Sequence, residues 1–211
     1  MPICHKLKFI FIHVPKCAGT SISEALTAAG ADLEYNGRAT ARQREIFRQV
    51  WLHHIPAEIM YHHLSPEIWR SYYKFSFVRN PWDWLVSVYH RHGARRTRPA
   101  NEEGDYVPTA AEVEQFQSWA GAVCARDFAK KRGATYYLTG KNNDSLMDFV
   151  GKYESIGQDF DHICRTIGIS VPLAHTNASR RGGYRHYYTP SLAERVGDVL
   201  KDDVEAFGYD F

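Results

Sequence analysis

The sequence has no apolar run long enough to cross a membrane, and we expect no signal peptide at its N-terminus. The apolar stretch Phe9–Val14 is short, contains His13 and is followed by Pro15, whereas a signal sequence needs a longer hydrophobic region. No CxxC spacing occurs among the cysteines, which are Cys4, Cys17, Cys124 and Cys164. This pattern predicts a reduced, cytoplasmic chain without a disulfide framework or a zinc site.

The sequence also has little excess charge of either sign. Lysine and arginine number 26 against 24 aspartates and glutamates, for a net charge of +2 over 211 residues, which argues against a general nucleic-acid coat. Basic residues gather locally in 91–98 and 180–185, and such clusters suit a small anionic ligand or an acidic substrate. Because no repeat, low-complexity tract or linker interrupts the chain, we predict a single domain over residues 1–211.

A strand, a small-residue loop and a helix follow one another near the N-terminus. The patterns predict a buried strand over Phe9–Val14, a tight loop over Pro15–Gly19 and a helix over Thr20–Ala29. In α/β proteins this arrangement aims loop amides and a helix N-terminus at one anion, and Lys16 adds a positive charge. The loop is not a Walker A loop, because its lysine precedes the small residues. The alternative is an ordinary turn with a surface lysine.

A second strand and helix repeat this order further along the chain. Residues 73–78 predict a buried strand, and Asn80, Pro81 and Asp83 are typical of a helix start. Arg79 ends the strand, and Ser87 lies about two turns into the helix. A guanidinium and a hydroxyl suit a terminal phosphate, although a structural arginine and a solvent-facing serine are the alternative.

The remaining patterns complete an α/β prediction. We expect a three-layer domain in which helices flank a mostly parallel central sheet with a P-loop-like phosphate cradle at its edge. Residues 136–138 and 146–150 are predicted to form a hairpin or paired strands. Further helices are predicted over residues 42–52, 111–131, 160–167 and 191–207.

Both motifs, in this order, resemble those of PAPS-dependent sulfotransferases, where PAPS is 3′-phosphoadenosine 5′-phosphosulfate. His13–Ser21 resembles the family's 5′-phosphosulfate loop, and Phe77–Tyr89 resembles its 3′-phosphate motif. The likeness is to the family 2 type, which includes carbohydrate O-sulfotransferases. Gly151–Glu154 resembles the strand whose tyrosine lies beside the adenine, and Arg180–Tyr184 resembles the basic-glycine loop that closes over the 3′-phosphate. Cys17 departs from the threonine or serine that is usual there.

The resemblance implies transfer of a sulfuryl group from PAPS to an acceptor hydroxyl on a carbohydrate or small metabolite, with release of adenosine 3′,5′-bisphosphate (PAP) and without a metal. It implies that Lys16 stabilises the charge that develops on the bridging oxygen. The residues implied to bind the nucleotide are Cys17, Ala18, Gly19, Thr20, Ser21, Arg79, Ser87, Tyr153, Arg180, Arg181 and Gly182.

The acceptor hydroxyl needs a base, and a histidine suits this role near neutral pH. The family places its base between the two motifs, where His54 fits best and His63 is the alternative. A nucleotide-dependent phosphotransferase is a rival interpretation, but it needs a Walker loop and a Mg²⁺-binding acid that do not stand in place. A non-catalytic nucleotide-binding module is the other rival. A reactive Cys17 thiolate at the helix start is a further possibility.

Overall fold

The computed structural model of the chain describes residues 2–35, 54–92, 106–125, 133–174 and 183–211. The strands in these ranges are β1 Pro2–Cys4, β2 Phe9–Ile12, β3 Glu34–Tyr35, β4 Tyr73–Val78 and β5 Phe149–Lys152. The helices in the same ranges are α1 Gly19–Ala28, α2 Ala57–His63, α3 Pro66–Ser71, α4 Pro81–His92, α5 Ala110–Cys124, α6 Ala134–Leu138, α7 Ile156–Ile167, α8 Pro190–Val199 and α9 Lys201–Phe207. Short 3₁₀ turns occupy Tyr153–Ser155 and Tyr184–Tyr187.

The strands form one sheet in the order β3-β1-β2-β4-β5. Strands β2, β4 and β5 are parallel neighbours, with Ile12 opposite Ser76 and Val78 opposite Lys152. Strand β1 pairs antiparallel with both β2 and β3, so it alone among the described strands runs against the others. The predicted α/β class and mostly parallel sheet are confirmed.

The chain divides into two compact units. The first comprises Met1–Arg79 and Ala134–Asn177 and contains the whole sheet, and the second comprises Asn80–Gly133 and Ala178–Phe211. The expectation of a single domain stays a prediction.

Aromatic side chains build the core of the first unit. Phe9, Phe11, Phe75 and Phe77 alternate along β2 and β4 and are almost completely buried, and the rings of Phe11 and Phe75 stack at a centroid distance of 5.1 Å. Helix α7 packs against β4 and β5. Burial of these rings on a covered sheet stabilises the folded state, which explains why the strands are rich in apolar residues.

The second unit is built from helices and the turn Tyr184–Tyr187. Helix α4 packs against α5, α8 and this turn. The indole N–H of Trp82 donates to the carbonyl oxygen of Ala193 at 2.8 Å, and the ring of Phe116 meets that of Tyr187 edge to face at 5.3 Å. These contacts satisfy the polar edge of a buried aromatic while burying its apolar faces.

The structure differs from two of the sequence-based expectations. The strand predicted over 136–138 is wrong, because these residues lie in helix α6, and β5 pairs in parallel with β4. Part of the predicted pairing is present next to it, since Thr139 forms an antiparallel bridge with Ser145 and the amide of Leu146 donates to the carbonyl oxygen of Leu138 at 2.9 Å. Tyrosine favours strands only where its surroundings form one, and here Tyr137 and Leu138 are buried on a short helix. The single helix predicted over 191–207 is two helices that meet at Leu200, whose φ of −105° and ψ of 26° end α8.

Other expected elements agree with the structure or lie beyond it. The strand predicted over 73–78 and the helix predicted from Pro81 to about His92 are confirmed. Helix α7 ends at Gly168 as predicted, with a φ of 76°, but begins four residues earlier than predicted, at Ile156 instead of 160. The helix predicted over 42–52 lies outside the described residues.

Candidate active site

Candidate residues of the first unit lie at the carboxyl ends of three parallel strands. Because β2, β4 and β5 run in the same direction, the residues that follow them emerge at the same edge of the sheet. His13 follows β2, Arg79 follows β4 and Tyr153 follows β5. In open α/β sheets this edge is where ligands bind.

The loop between β2 and α1 has an unusual backbone. Lys16 has a φ of 65° and Ala18 a φ of 59°, both in the left-handed region that costs a non-glycine residue roughly 1–2 kcal/mol. Such strain is typical of functional loops. The two left-handed residues turn the chain sharply between the end of β2 and the start of α1.

Helix α1 begins without a capping side chain. Ala18 occupies the N-cap position, and its own side chain makes no capping hydrogen bond. The carbonyl of Ala18 accepts the first helical bond from the amide of Ile22 at 3.1 Å. The first amides of a helix have no partner within the helix, and its dipole favours an anion at this end. The predicted loop residues Cys17, Ala18, Gly19, Thr20 and Ser21 therefore surround a terminus that suits a phosphate or sulfate group.

The ring of His13 lies against this helix start and explains the glycine at position 19. A Cβ atom on Gly19 would lie 2.0 Å from both Cδ2 and Nε2 of His13, a distance that no side chain tolerates. The His13 ring also stacks on Phe11 at 5.7 Å. Only glycine therefore fits beside His13 at the first position of α1. The sequence carries no signal for this contact, because the two residues are separated by the loop.

Arg79 and Tyr153 contact each other and the loop. The Nη1 group of Arg79 donates to the carbonyl oxygen of Lys16 at 3.2 Å, and its Cζ atom lies 3.8 Å from the centre of the Tyr153 ring. The side chain of Arg79 is buried, whereas Tyr153 is half-buried. The contact with Lys16 was not predicted from the sequence, which suggested a phosphate-binding or a structural role for Arg79 without naming a partner.

His54 is tied to the segment that carries the loop. Its Nδ1 atom lies 2.8 Å from the carbonyl oxygen of His13, and the two rings meet edge to face at 4.5 Å. Since a carbonyl oxygen only accepts, Nδ1 of His54 carries the hydrogen, and in the neutral ring Nε2 holds the lone pair. That tautomer is the one that can take a proton at Nε2.

His63, the alternative base, is held differently. Its Nδ1 atom bonds the carbonyl oxygen of Ile59 at 2.6 Å, one turn earlier in α2. This bond orients His63 on its own helix. The two histidines therefore differ in what holds them, since His54 is bonded to the residue that follows β2 and His63 to its own helix.

The other predicted residues are placed as follows. Ser87 is buried on α4, in the second unit, and its contact with a phosphate stays a prediction. Arg180, Arg181 and Gly182 lie outside the described residues. Cys17 is buried, and its thiol donates to the carbonyl oxygen of Pro15 at 3.5 Å. This burial disfavours an exposed reactive thiolate, because such cysteines are partly accessible.

Two wider searches of the structure apply to the described ranges only. Within them, no three histidine, cysteine, aspartate or glutamate side chains come together in a way that could hold a metal ion. No helix among those residues has the length and apolar character needed to cross a bilayer.

Comparison with known proteins identifies the family. The sulfotransferase family model matches residues 1–210. A comparison with curated proteins found no match. The matched range contains the strand-end loop, Arg79, Tyr153 and His54. The family supports sulfuryl transfer in general, and the chain belongs to the sulfotransferase family, of the family 2 type.

Proposed function

We propose that the protein is a PAPS-dependent O-sulfotransferase that transfers the sulfuryl group to a hydroxyl of a carbohydrate or small metabolite. One observation carries the proposal. The strained loop after β2 contains Lys16 and leads into α1. Arg79 donates a hydrogen bond to this loop, and the carbonyl of His13 just before it accepts one from His54. A positively charged site that can bind an anion therefore lies on the same loop that orients the His54 imidazole. Transfer of a charged group to a hydroxyl requires both.

The loop supplies groups that fit a 5′-phosphosulfate. The amides at the start of α1 donate hydrogen bonds and add the positive end of the helix dipole. Thr20 is exposed at this helix start, so its hydroxyl is accessible to a ligand. Lys16 contributes a full positive charge. The proposal therefore treats this loop as a P-loop-like cradle that works without a Walker A sequence.

The reaction requires one proton transfer and one displacement at sulfur. In the proposal, Nε2 of His54 takes the proton from the acceptor hydroxyl, while the acceptor oxygen forms its bond to sulfur. The bond between sulfur and the bridging oxygen of the 5′-phosphate breaks, and its electron pair leaves with PAP. The Lys16 ammonium stabilises that developing charge. As in phosphoryl transfer, positioning and electrostatic stabilisation account for most of the acceleration.

The rest of the nucleotide is assigned by resemblance and by position. Tyr153 is proposed to lie beside the adenine. Arg79 is proposed to bind the 3′-phosphate, and Ser87, Arg180, Arg181 and Gly182 stay predicted contributors to that contact. No metal is part of the proposal, because Lys16 and the helix start supply the positive field.

The proposal is tested by incubating the protein with radiolabelled PAPS and a library of hydroxyl acceptors, and by detecting sulfated products by mass spectrometry. We expect Lys16→Ala to lower kcat by about 10²–10³ and His54→Ala to lower it by about 10²–10⁴. Matched controls are Lys141→Ala and His162→Asn, which change exposed residues of the first unit and should leave turnover unchanged.

Two results would replace this function with a rival. If PAP binds but no acceptor is sulfated, the protein is a nucleotide-binding module, whereas unchanged turnover in Lys16→Ala would refute only the catalytic role of Lys16. If ATP with Mg²⁺ raises the Tm more than PAP does, a phosphotransferase is favoured instead.

A further inference from the structure

The buried guanidinium of Arg79 contacts the loop between β2 and α1. The side chain is 9 % exposed, and its guanidinium lies between the Lys16 carbonyl oxygen and the face of the Tyr153 ring. Burying a charged group is costly unless it is hydrogen-bonded. Both contacts therefore stabilise one fixed position of the guanidinium at the end of β4.

The hydrogen bond with Lys16 also fixes a peptide plane. No cis peptide bond occurs in the described residues, and in a trans peptide the C=O and the following N–H point in opposite directions. A Lys16 carbonyl directed at Arg79 therefore turns the amide of Cys17 away from Arg79. Lys16 also has a left-handed backbone conformation, which is intrinsically unfavourable, and the bond from the guanidinium offsets part of its cost.

We propose that Arg79 is a positioning residue for the 5′-phosphosulfate half of the site, because it sets the Lys16–Cys17 peptide and thereby the shape of the loop. Tyr153 supports this role by holding the guanidinium against its ring. The inference rests on the proposed function and adds to it, since Arg79 was assigned only to the 3′-phosphate and Tyr153 only to the adenine.

A ligand-free experiment tests the loop directly. Cys17 is buried in the loop, and Cys4 and Cys164 are buried elsewhere in the first unit, so their rates of alkylation by iodoacetamide report local opening. We expect Arg79→Lys to raise the Cys17 rate by about tenfold, because lysine keeps the charge but loses the planar fork. The rates of Cys4 and Cys164 should not change.

Tyr153 gives a second variant that retains Arg79 itself. Tyr153→Leu removes the ring that backs the guanidinium and should raise the Cys17 rate by roughly threefold. Tyr153→Phe keeps the ring and should match the wild type. An unchanged Cys17 rate in both Arg79→Lys and Tyr153→Leu, or a rise that Cys4 and Cys164 share equally, would overturn the proposal.

Two nucleotides separate the two roles of Arg79. Adenosine 5′-phosphosulfate lacks the 3′-phosphate, so a residue that binds only that phosphate cannot affect its affinity. In calorimetry, Arg79→Lys should lower the affinity for this nucleotide by about tenfold, and it should lower the affinity for PAP as well. Ser87→Ala, in contrast, should lower the affinity for PAP alone. Normal affinity of Arg79→Lys for adenosine 5′-phosphosulfate would contradict the proposal.

The same data distinguish failure of the inference from failure of the function. If the wild type binds neither nucleotide, the proposed function fails, while the alkylation rates still decide whether Arg79 holds the loop.

Discussion

Helices α1 and α4 each follow a buried parallel strand, yet their N-termini are built from different residues. At α4, the side chain of Asn80 accepts hydrogen bonds from the amides of Trp82 and Asp83 at 3.1 and 3.3 Å. At α1, the N-cap residue is Ala18, which has a left-handed backbone and no capping bond from its side chain.

The difference separates a structural helix start from one suited to a ligand. The protein satisfies the first amides of α4 with its own side chain, and Pro81 occupies the next position, as is common at stable helix starts. At α1, the protein accepts backbone strain and forgoes a side-chain cap that stabilises a helix by about 1 kcal/mol. An anionic ligand can accept hydrogen bonds at such a helix start, which is why we assign the 5′-phosphosulfate to α1.

Among the variants that compare the two helix starts, the largest expected effect comes from filling the space beside His13. Gly19→Ala places a methyl group where the His13 ring lies, and overpacking of this kind costs about 1–3 kcal/mol. We expect PAP affinity, measured by calorimetry, to fall by roughly ten- to a hundredfold.

Two further variants show whether the clash is the cause. Gly157→Ala is the matched control, because among the described residues only its chain neighbours and its own helix backbone can lie within 4 Å of a Cβ there, and it should leave affinity unchanged. Adding His13→Ala to Gly19→Ala removes the ring and should recover part of the affinity. Wild-type affinity in Gly19→Ala would mean that the loop geometry is unimportant for binding.

Removing the cap of α4 should affect stability. Asn80→Ala is expected to lower the free energy of unfolding by about 2 kcal/mol, because Asn80 also donates to the carbonyl oxygen of Asp210 at 2.9 Å. Asn80→Asp keeps the capping oxygen and loses the donor, so urea denaturation should give it an intermediate value. Equal losses in the two variants would show that the cap contributes nothing.

The start of α1 should respond in the opposite sense to a change at its N-cap. Ala18→Gly relieves the left-handed strain and should raise the free energy of unfolding by about 0.5–1 kcal/mol, despite the usual entropic cost of glycine. Ala25→Gly, inside the same helix, should lower the same free energy by about 1 kcal/mol or more, because it adds that cost and removes a buried methyl group. If Ala18→Gly also destabilises the protein, the strain assigned to this loop is absent.

The smallest expected difference is in the alkaline range. Burial, and secondarily the Glu112 carboxylate, raises the pKa of Tyr89 on α4, whereas α1 contains no tyrosine. A raised pKa in the folded protein means that the unfolded chain loses this proton first, so stability is present below the ordinary value and falls as pH rises above about 10. Tyr89→Phe should therefore flatten the decline of Tm above pH 10; an identical decline would contradict the shift.

Much of this architecture was readable from the sequence because it depends on local patterns. The strand at 73–78 is a short segment rich in aromatic residues, and Asn80-Pro81 specifies the start of α4 through its own side chain and ring. Lys16 and Arg79 were identified because each follows such a strand. These features need only neighbouring residues to be recognised.

The features that were missed depend on contacts between distant residues. Nothing local shows that the His13 ring excludes a side chain at Gly19, or that Arg79 donates to the Lys16 carbonyl. The segment around Tyr137 was predicted as a strand because tyrosine locally favours strands. In the folded unit it is a helix, in which Tyr137 is buried. Similarly, His54 was chosen over His63 by family placement, and only the folded chain shows its bond to His13.

A crystal structure of the protein with PAP bound tests the central assignment most directly. The account predicts that oxygens of the 5′-phosphate lie within about 3 Å of the amide nitrogens at the start of α1, with Lys16 beside them and Nε2 of His54 directed to where the sulfur would be. A 5′-phosphate bound at any other place, with the amides of α1 making no contact to it, would contradict the account.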